Sequence, residues 1–120
     1  MNDITIKLNG KSIKLSSTDT DIQLAGTLAG VVIGTISARP AWGARGDYRM
    51  HLQYWRDFYE GKRDRALLWL DPVAMTRRRL LDHEYESPEG QERLRLQERI
   101  WTIRRLIAEE VLRAIEELMR

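Results

Sequence analysis

Apolar and polar residues alternate strictly at the start of the chain. Ile4, Ile6 and Leu8 are separated by Thr5 and Lys7, and Ile13 and Leu15 resume the alternation beyond Asn9–Gly10. A period of two marks a half-buried strand, and Asn-Gly accepts the positive φ of a type I′ turn. Residues 4–15 are therefore predicted to form a β-hairpin. The polar run SSTDTD that follows reads as a turn.

The next stretch, QLAGTLAGVVIGTISAR (residues 23–39), carries two conflicting signals. Gly26, Gly30 and Gly34 fall four apart, as in closely packed membrane helices. Val31, Val32, Ile33, Thr35 and Ile36 are strand formers. Gln23, Thr27, Thr35 and Ser37 interrupt the apolar run, which is also shorter than the roughly 20 residues a membrane helix needs, so no membrane partner is expected. Three glycines in a soluble helix would cost about 1 kcal/mol each, which favours sheet. The expectation is either two strands joined at Ala29–Gly30 or one bent strand ending before Pro40.

Residues 47–70 fit both periods. As a strand, Tyr48, Met50, Leu52 and Tyr54 share one face, with Arg49, His51, Gln53 and Trp55 on the other. As a helix, Tyr48, Leu52, Trp55 and Tyr59 form a stripe. The strand assignment, to about residue 57, supplies partners for the preceding sheet, with a turn at Glu60–Gly61–Lys62 and a further strand at 65–70. Asp71 and Pro72 then suit the N-cap and first position of a short helix. Ser87–Pro88 repeats that signal and opens one long helix to the C-terminus. Its apolar positions include Leu96, Ile100, Ile103, Ile107, Val111, Ala114 and Leu118. The steps between them break a strict heptad, so no supercoil is required.

That helix would be about 48 Å long, against about 35 Å for a compact domain of this size. Either it projects and pairs with a second copy, or Gly90 breaks its start and its whole stripe packs on its own sheet. Ile100, Ile103, Ile107, Val111 and Leu118 are the candidate self-association residues, and a dimer is the expected homo-oligomer. Arginines early in the helix and glutamates late in it suit an antiparallel pair.

Composition narrows the class. Hydrophobic residues are 42% and charged residues 32%, the balance of a globular chain. One hundred and twenty residues make a single domain, 1–120, expected to be mainly β over 1–70 and mainly α over 71–120. No cysteine is present, which excludes disulfides and thiolate chemistry and is compatible with a reducing, cytoplasmic location. No secretory signal is evident at the amino terminus. The net charge of +2 is uneven: residues 39–79 hold ten basic residues against five acidic, a local +5.

The same region holds seven of the nine aromatics, from Trp42 to Trp69, interleaved with cations. Cations that track phosphates beside rings that stack on bases are the means by which single-stranded nucleic acid is held. Arg49, Trp55, Lys62, Arg63, Arg65 and Trp69 are accordingly the candidate nucleic-acid contacts. The competing reading makes the rings core and the arginines a solvated rim. Arg77, Arg78 and Arg79 could grip phosphates or form a wet helix face. Asp82–Glu86 surrounds one histidine with carboxylates but has no second ligand set, so no metal is expected. The NGKS and RGD motifs lack the context that would give them meaning. No catalytic constellation and no cofactor site emerge, so the chain is not expected to be an enzyme.

The segment from Gly34 to about Leu81 resembles the single-stranded DNA-binding family of the transcriptional coactivator positive cofactor four. The shared features are a strand ending in Tyr54–Trp55, a turn through Asp57, Glu60, Gly61 and Lys62, the strand ALLWLD, and a helix after Asp71. The resemblance implies a curved four-stranded antiparallel sheet followed by a helix, dimerisation through the helix, and unpaired strands bound on the sheet. It marks Trp55, Lys62, Arg63 and Arg65 for strand contact. The first hairpin and the long last helix depart from that family's pattern.

The sequence thus predicts an α+β fold, with an antiparallel sheet of about five strands followed by a short and a long helix. The expected function is non-catalytic binding of single-stranded DNA or RNA on a basic, aromatic sheet face. The alternative is a protein-interaction or assembly module, such as a small accessory or virion component, docking through the long helix.

Overall fold

The computed structural model describes residues 4–8, 11–15, 20–38, 45–81 and 87–120. The elements are strands β1 (Ile4–Leu8) and β2 (Lys11–Leu15) and helices α1 (Asp21–Ser37), α2 (Arg45–Leu70), α3 (Pro72–Leu81) and α4 (Pro88–Leu118). β1 and β2 pair antiparallel, Ile4 opposite Leu15 and Ile6 opposite Ile13. The Asn9–Gly10 turn lies outside the described residues. This two-stranded ladder is the only sheet among the described residues, and the packed body is all-α.

The expected five-stranded sheet and the α+β class are therefore wrong, and residues 1–70 are not mainly β. Both errors fall on stretches that are helical. α1 is started by a capping box: Thr20 Oγ1 accepts from the Gln23 N–H at 3.2 Å, and Gln23 Oε1 accepts from the Thr20 N–H at 2.9 Å. Leu24, Ala25, Leu28, Ala29, Val32 and Ile36 then line one buried face. Burial of its four large side chains, about 1.5–3 kcal/mol each, outweighs three glycine penalties of about 1 kcal/mol each. The glycines lie on the opposite, exposed face, and nothing comes within 4 Å of a Cβ built on any of them. No close approach demands glycine there.

α2 continues unbroken through the expected turn at Glu60–Gly61–Lys62. Leu52, Tyr59 and Ala66, seven residues apart, are its fully buried positions. The alternation over residues 48–55 is a short coincidence inside this longer period. The exposed Gln53–Asp57 contact at 2.9 Å and the part-buried Arg56–Glu60 contact at 3.2 Å support the helix. Pro72 ends α2, because its ring disfavours a helical residue before it. Asp71 Oδ2 then caps α3 by accepting from the Ala74 N–H at 3.1 Å. Ser87 Oγ caps α4 in the same way, from the Gly90 N–H at 3.0 Å.

α4 packs against both α1 and α2. α1 starts beside it, where Arg99 Nε donates to Asp21 Oδ1 at 2.6 Å. The chain turns back after α1, and α2 runs antiparallel to α4 until Trp69 meets Trp101. At the turn, the Tyr48 hydroxyl donates to Ser37 O (3.2 Å) and His51 Nε2 to Ile36 O (3.0 Å). Those two bonds satisfy end carbonyls that α1 cannot pair internally. The core is Leu28, Val32 and Ile36 of α1, Leu52 and Tyr59 of α2, and Ile103, Ile107, Val111 and Ile115 of α4. Burial pushes the Tyr59 phenol above its ordinary pKa. The molecule is elongated, 56 × 30 × 21 Å, so α4 spans the bundle rather than projecting from it. Among the described residues no helix is long and apolar enough to cross a membrane.

Candidate interaction surface

The sheet face expected to gather the nucleic-acid contacts does not exist, nor does the curved four-stranded sheet implied by the resemblance. Residues 48–59 lie within α2, so side-chain directions turn by about 100° per residue instead of alternating. Arg63 and Arg65, expected together, project to nearly opposite sides. Arg63 pairs with Asp64 at 3.2 Å and lines a groove between α2 and α4 with Arg56, Glu60, Glu109 and Glu116. Arg65 points outward and makes no hydrogen bond or ion pair among the described residues. Arg49 is exposed, and the Lys62 ammonium sits 5.2 Å from the Phe58 ring centroid.

The two tryptophans are engaged within the fold. Trp55 is half-buried against the core and meets Tyr54, Phe58 and Tyr59 at centroid distances of 5.4, 5.5 and 6.2 Å. Trp69 stacks on Trp101, 5.7 Å between centroids and 16° between planes. The Arg78 guanidinium lies 3.8 Å over the Trp69 ring and donates to Trp69 O at 2.8 Å. Trp69 is therefore engaged by a ring and a cation of its own fold and is half-buried. Arg104 lies 4.9 Å over Trp101 and extends the pile. Arg78, Trp69, Trp101 and Arg104 thus tie α3, α2 and α4 together. The sequence reading missed this stack, because nothing local to Trp101 reports a partner 32 residues earlier in the chain.

The candidate self-association residues are also used internally. Ile103, Ile107 and Val111 are fully buried against α1 and α2, and Ile100 is half-buried beside them. Leu118 alone of the five is exposed. The stripe of α4 packs within its own domain, but on helices α1 and α2 and not on the expected sheet, and Gly90 does not break the helix start.

Exposed large apolar side chains include Ile22 and Val31 of α1 and Leu96 of α4, but most lie on α2 and α3. Met50, Tyr54 and Leu68 of α2 and Val73, Leu80 and Leu81 of α3 are each between 63% and 80% exposed. On α2, Met50, Tyr54, Phe58, Gly61, Arg65 and Leu68 follow steps of three and four and form one stripe opposite the core face. α3 has no buried residue. It is held to the body through Arg78 and through Arg79, whose Nη2 donates to both Glu98 oxygens at 2.7 and 2.8 Å. Among the described residues, Pro72, Val73, Thr76, Arg77, Leu80 and Leu81 line an open groove of about 550 Å³. The 3.6-residue period of residues 50–68 was a legible signal for this surface, hidden by the strand assignment.

Among the described residues no group of three or more His, Asp or Glu could hold a metal ion. Asp82–Glu86 lies outside them. No protein-family model, no curated protein and no solved structure shows a match to this chain.

Proposed function

We propose that the protein is a non-catalytic helical interaction module that docks another protein chain on the outer face of α2 and α3. The observation that carries this reading is the set of large apolar side chains there, 63–80% exposed on two adjoining helices and used by no part of the core. Apolar surface of that extent, bordered by charge, marks protein contact more often than nucleic-acid contact. Nucleic-acid binding is supported less, because Trp69 is already engaged by Trp101 and Arg78 and the candidate cations diverge around α2.

The reading is tested by a photo-crosslinking amino acid placed at position 54 or 80, with position 31 on the outward side of α1 as control. Protein adducts at 54 and 80 that are absent at 31 support it. A salt-sensitive gel shift with single-stranded oligonucleotides, without protein adducts, replaces it by the nucleic-acid reading.

A further inference from the structure

We infer that the partner seated on the α2 stripe is a second copy of this chain, with the two α2 helices antiparallel about a two-fold axis between residues 59 and 60. The inference rests on the reading of the outer face given above and names its occupant. Three features of the stripe make it self-complementary in that register. Phe58 of one copy falls opposite Gly61 of the other, where the space a Cβ would occupy is open. Tyr54, an exposed ring, falls opposite Arg65, an exposed cation with no hydrogen bond or ion pair among the described residues, so each copy supplies one half of a cation–π contact. Met50 and Leu68 fall at the two ends of the stripe and come together in apolar contact.

The carboxylates near the seam do not oppose this pairing. Asp57 and Asp64 lie on one flank, and each is already bonded within its own helix, to Gln53 at 2.9 Å and to Arg63 at 3.2 Å. The seam is thereby displaced toward the Tyr54, Phe58 and Arg65 side. Four apolar side chains and the bared backbone at Gly61 supply on the order of 500 Å² per copy, below the roughly 800 Å² of a standard interface. The dimer is accordingly a weak one that forms at micromolar concentration or above.

The chain contains no cysteine, so an introduced thiol reports a single position. In the proposed pair the two Gly61 Cα atoms lie roughly 6 Å apart, from the rise per residue and the usual spacing of packed helices. A disulfide spans that distance. Gly61→Cys should give a disulfide dimer under mild oxidation, and Gly30→Cys, on the open face of α1, should not. Leu68→Cys should stay monomeric, because antiparallel pairing separates those positions by about 25 Å. Tyr54→Glu in the Gly61→Cys background should cut the yield at least tenfold.

Crosslinking at Leu68→Cys shows a parallel pair, and crosslinking at Gly30→Cys shows association through α1. Either result overturns the inference. So does a chain that sediments as a monomer at millimolar concentration with no crosslink at position 61. Protein adducts at position 54 in that last case would come from a different chain, leaving the interaction reading in place without this partner.

Discussion

Replacing Gly26, Gly30 and Gly34 together by alanine should make the protein more stable. All three sit inside α1 on its exposed face, and a Cβ at each meets nothing within 4 Å. Alanine therefore adds no clash and loses no contact. It removes the backbone freedom that glycine gives the unfolded chain and adds helix propensity, about 1 kcal/mol per site at most. The gain for the triple variant is about 2–3 kcal/mol. For a domain of this size 1 kcal/mol moves Tm by roughly 3–5 °C, so the transition should rise by about 10 °C. Thermal unfolding followed by circular dichroism measures the shift, and urea unfolding should show a higher midpoint at unchanged m-value. A triple variant no more stable than the parent, or less stable, would refute the reasoning. It would mean that the glycines adopt a backbone alanine cannot share, as in a bulged strand, or that another chain packs closely on them.

Ile103→Ala, at the fully buried centre of α4, should cost about 2–5 kcal/mol, read as a lower urea midpoint; a loss under 1 kcal/mol would place Ile103 outside the core. Arg78→Ala should loosen α3 alone, because it removes a cation–π contact of about 0.5–2 kcal/mol from a helix with no buried residue. Amide exchange should then quicken over residues 72–81 and stay unchanged in α1 and α4, whereas a uniform increase would show that α3 unfolds only with the bundle. Tyr59 should make the fold alkali-sensitive. Its phenol ionises later in the folded state than at the ordinary value of 10.0, so stability present below pH 10 falls as the pH rises through and beyond it. Tyr59→Phe should flatten that fall, measured as the difference in denaturant midpoint between pH 8 and pH 11; an equal loss in both proteins would assign the sensitivity to other groups.

The elements read correctly from the sequence are those announced by local chemistry. Alternation revealed the paired strands at 4–8 and 11–15, and Asp71–Pro72 and Ser87–Pro88 revealed the starts of α3 and α4. α1 and α2 were misread because the deciding interaction is distant in sequence. Glycine and β-branched residues argue against a helix at 21–37, and only burial of Leu24, Leu28, Val32 and Ile36 against α4 reverses the balance. The Thr20-to-Gln23 capping box was present as a local sign, inside a run that otherwise looks like a turn. In α2 an eight-residue window satisfies both periods, and only the wider spacing of Leu52, Tyr59 and Ala66 separates them.

The candidate site suffered the same fate. Lys62, Arg63 and Arg65 are neighbours in sequence but diverge once the backbone is helical. Trp69 looked available only because its covering partners, Arg78 and Trp101, come from other elements. A region both basic and aromatic was legible, whereas the division of its side chains between core, stack and open face was not.

The central claim is that the apolar outer face of α2 and α3 takes no part in holding the fold together. The most direct test is thermal unfolding of one variant carrying Met50→Lys, Tyr54→Lys, Leu68→Lys and Leu80→Lys. Exposed sites change stability by about 0.5 kcal/mol each, so this protein should keep its helical signal and unfold cooperatively within several degrees of the parent. If those side chains are core in solution, four buried lysines would abolish the cooperative transition, and that result would contradict the account.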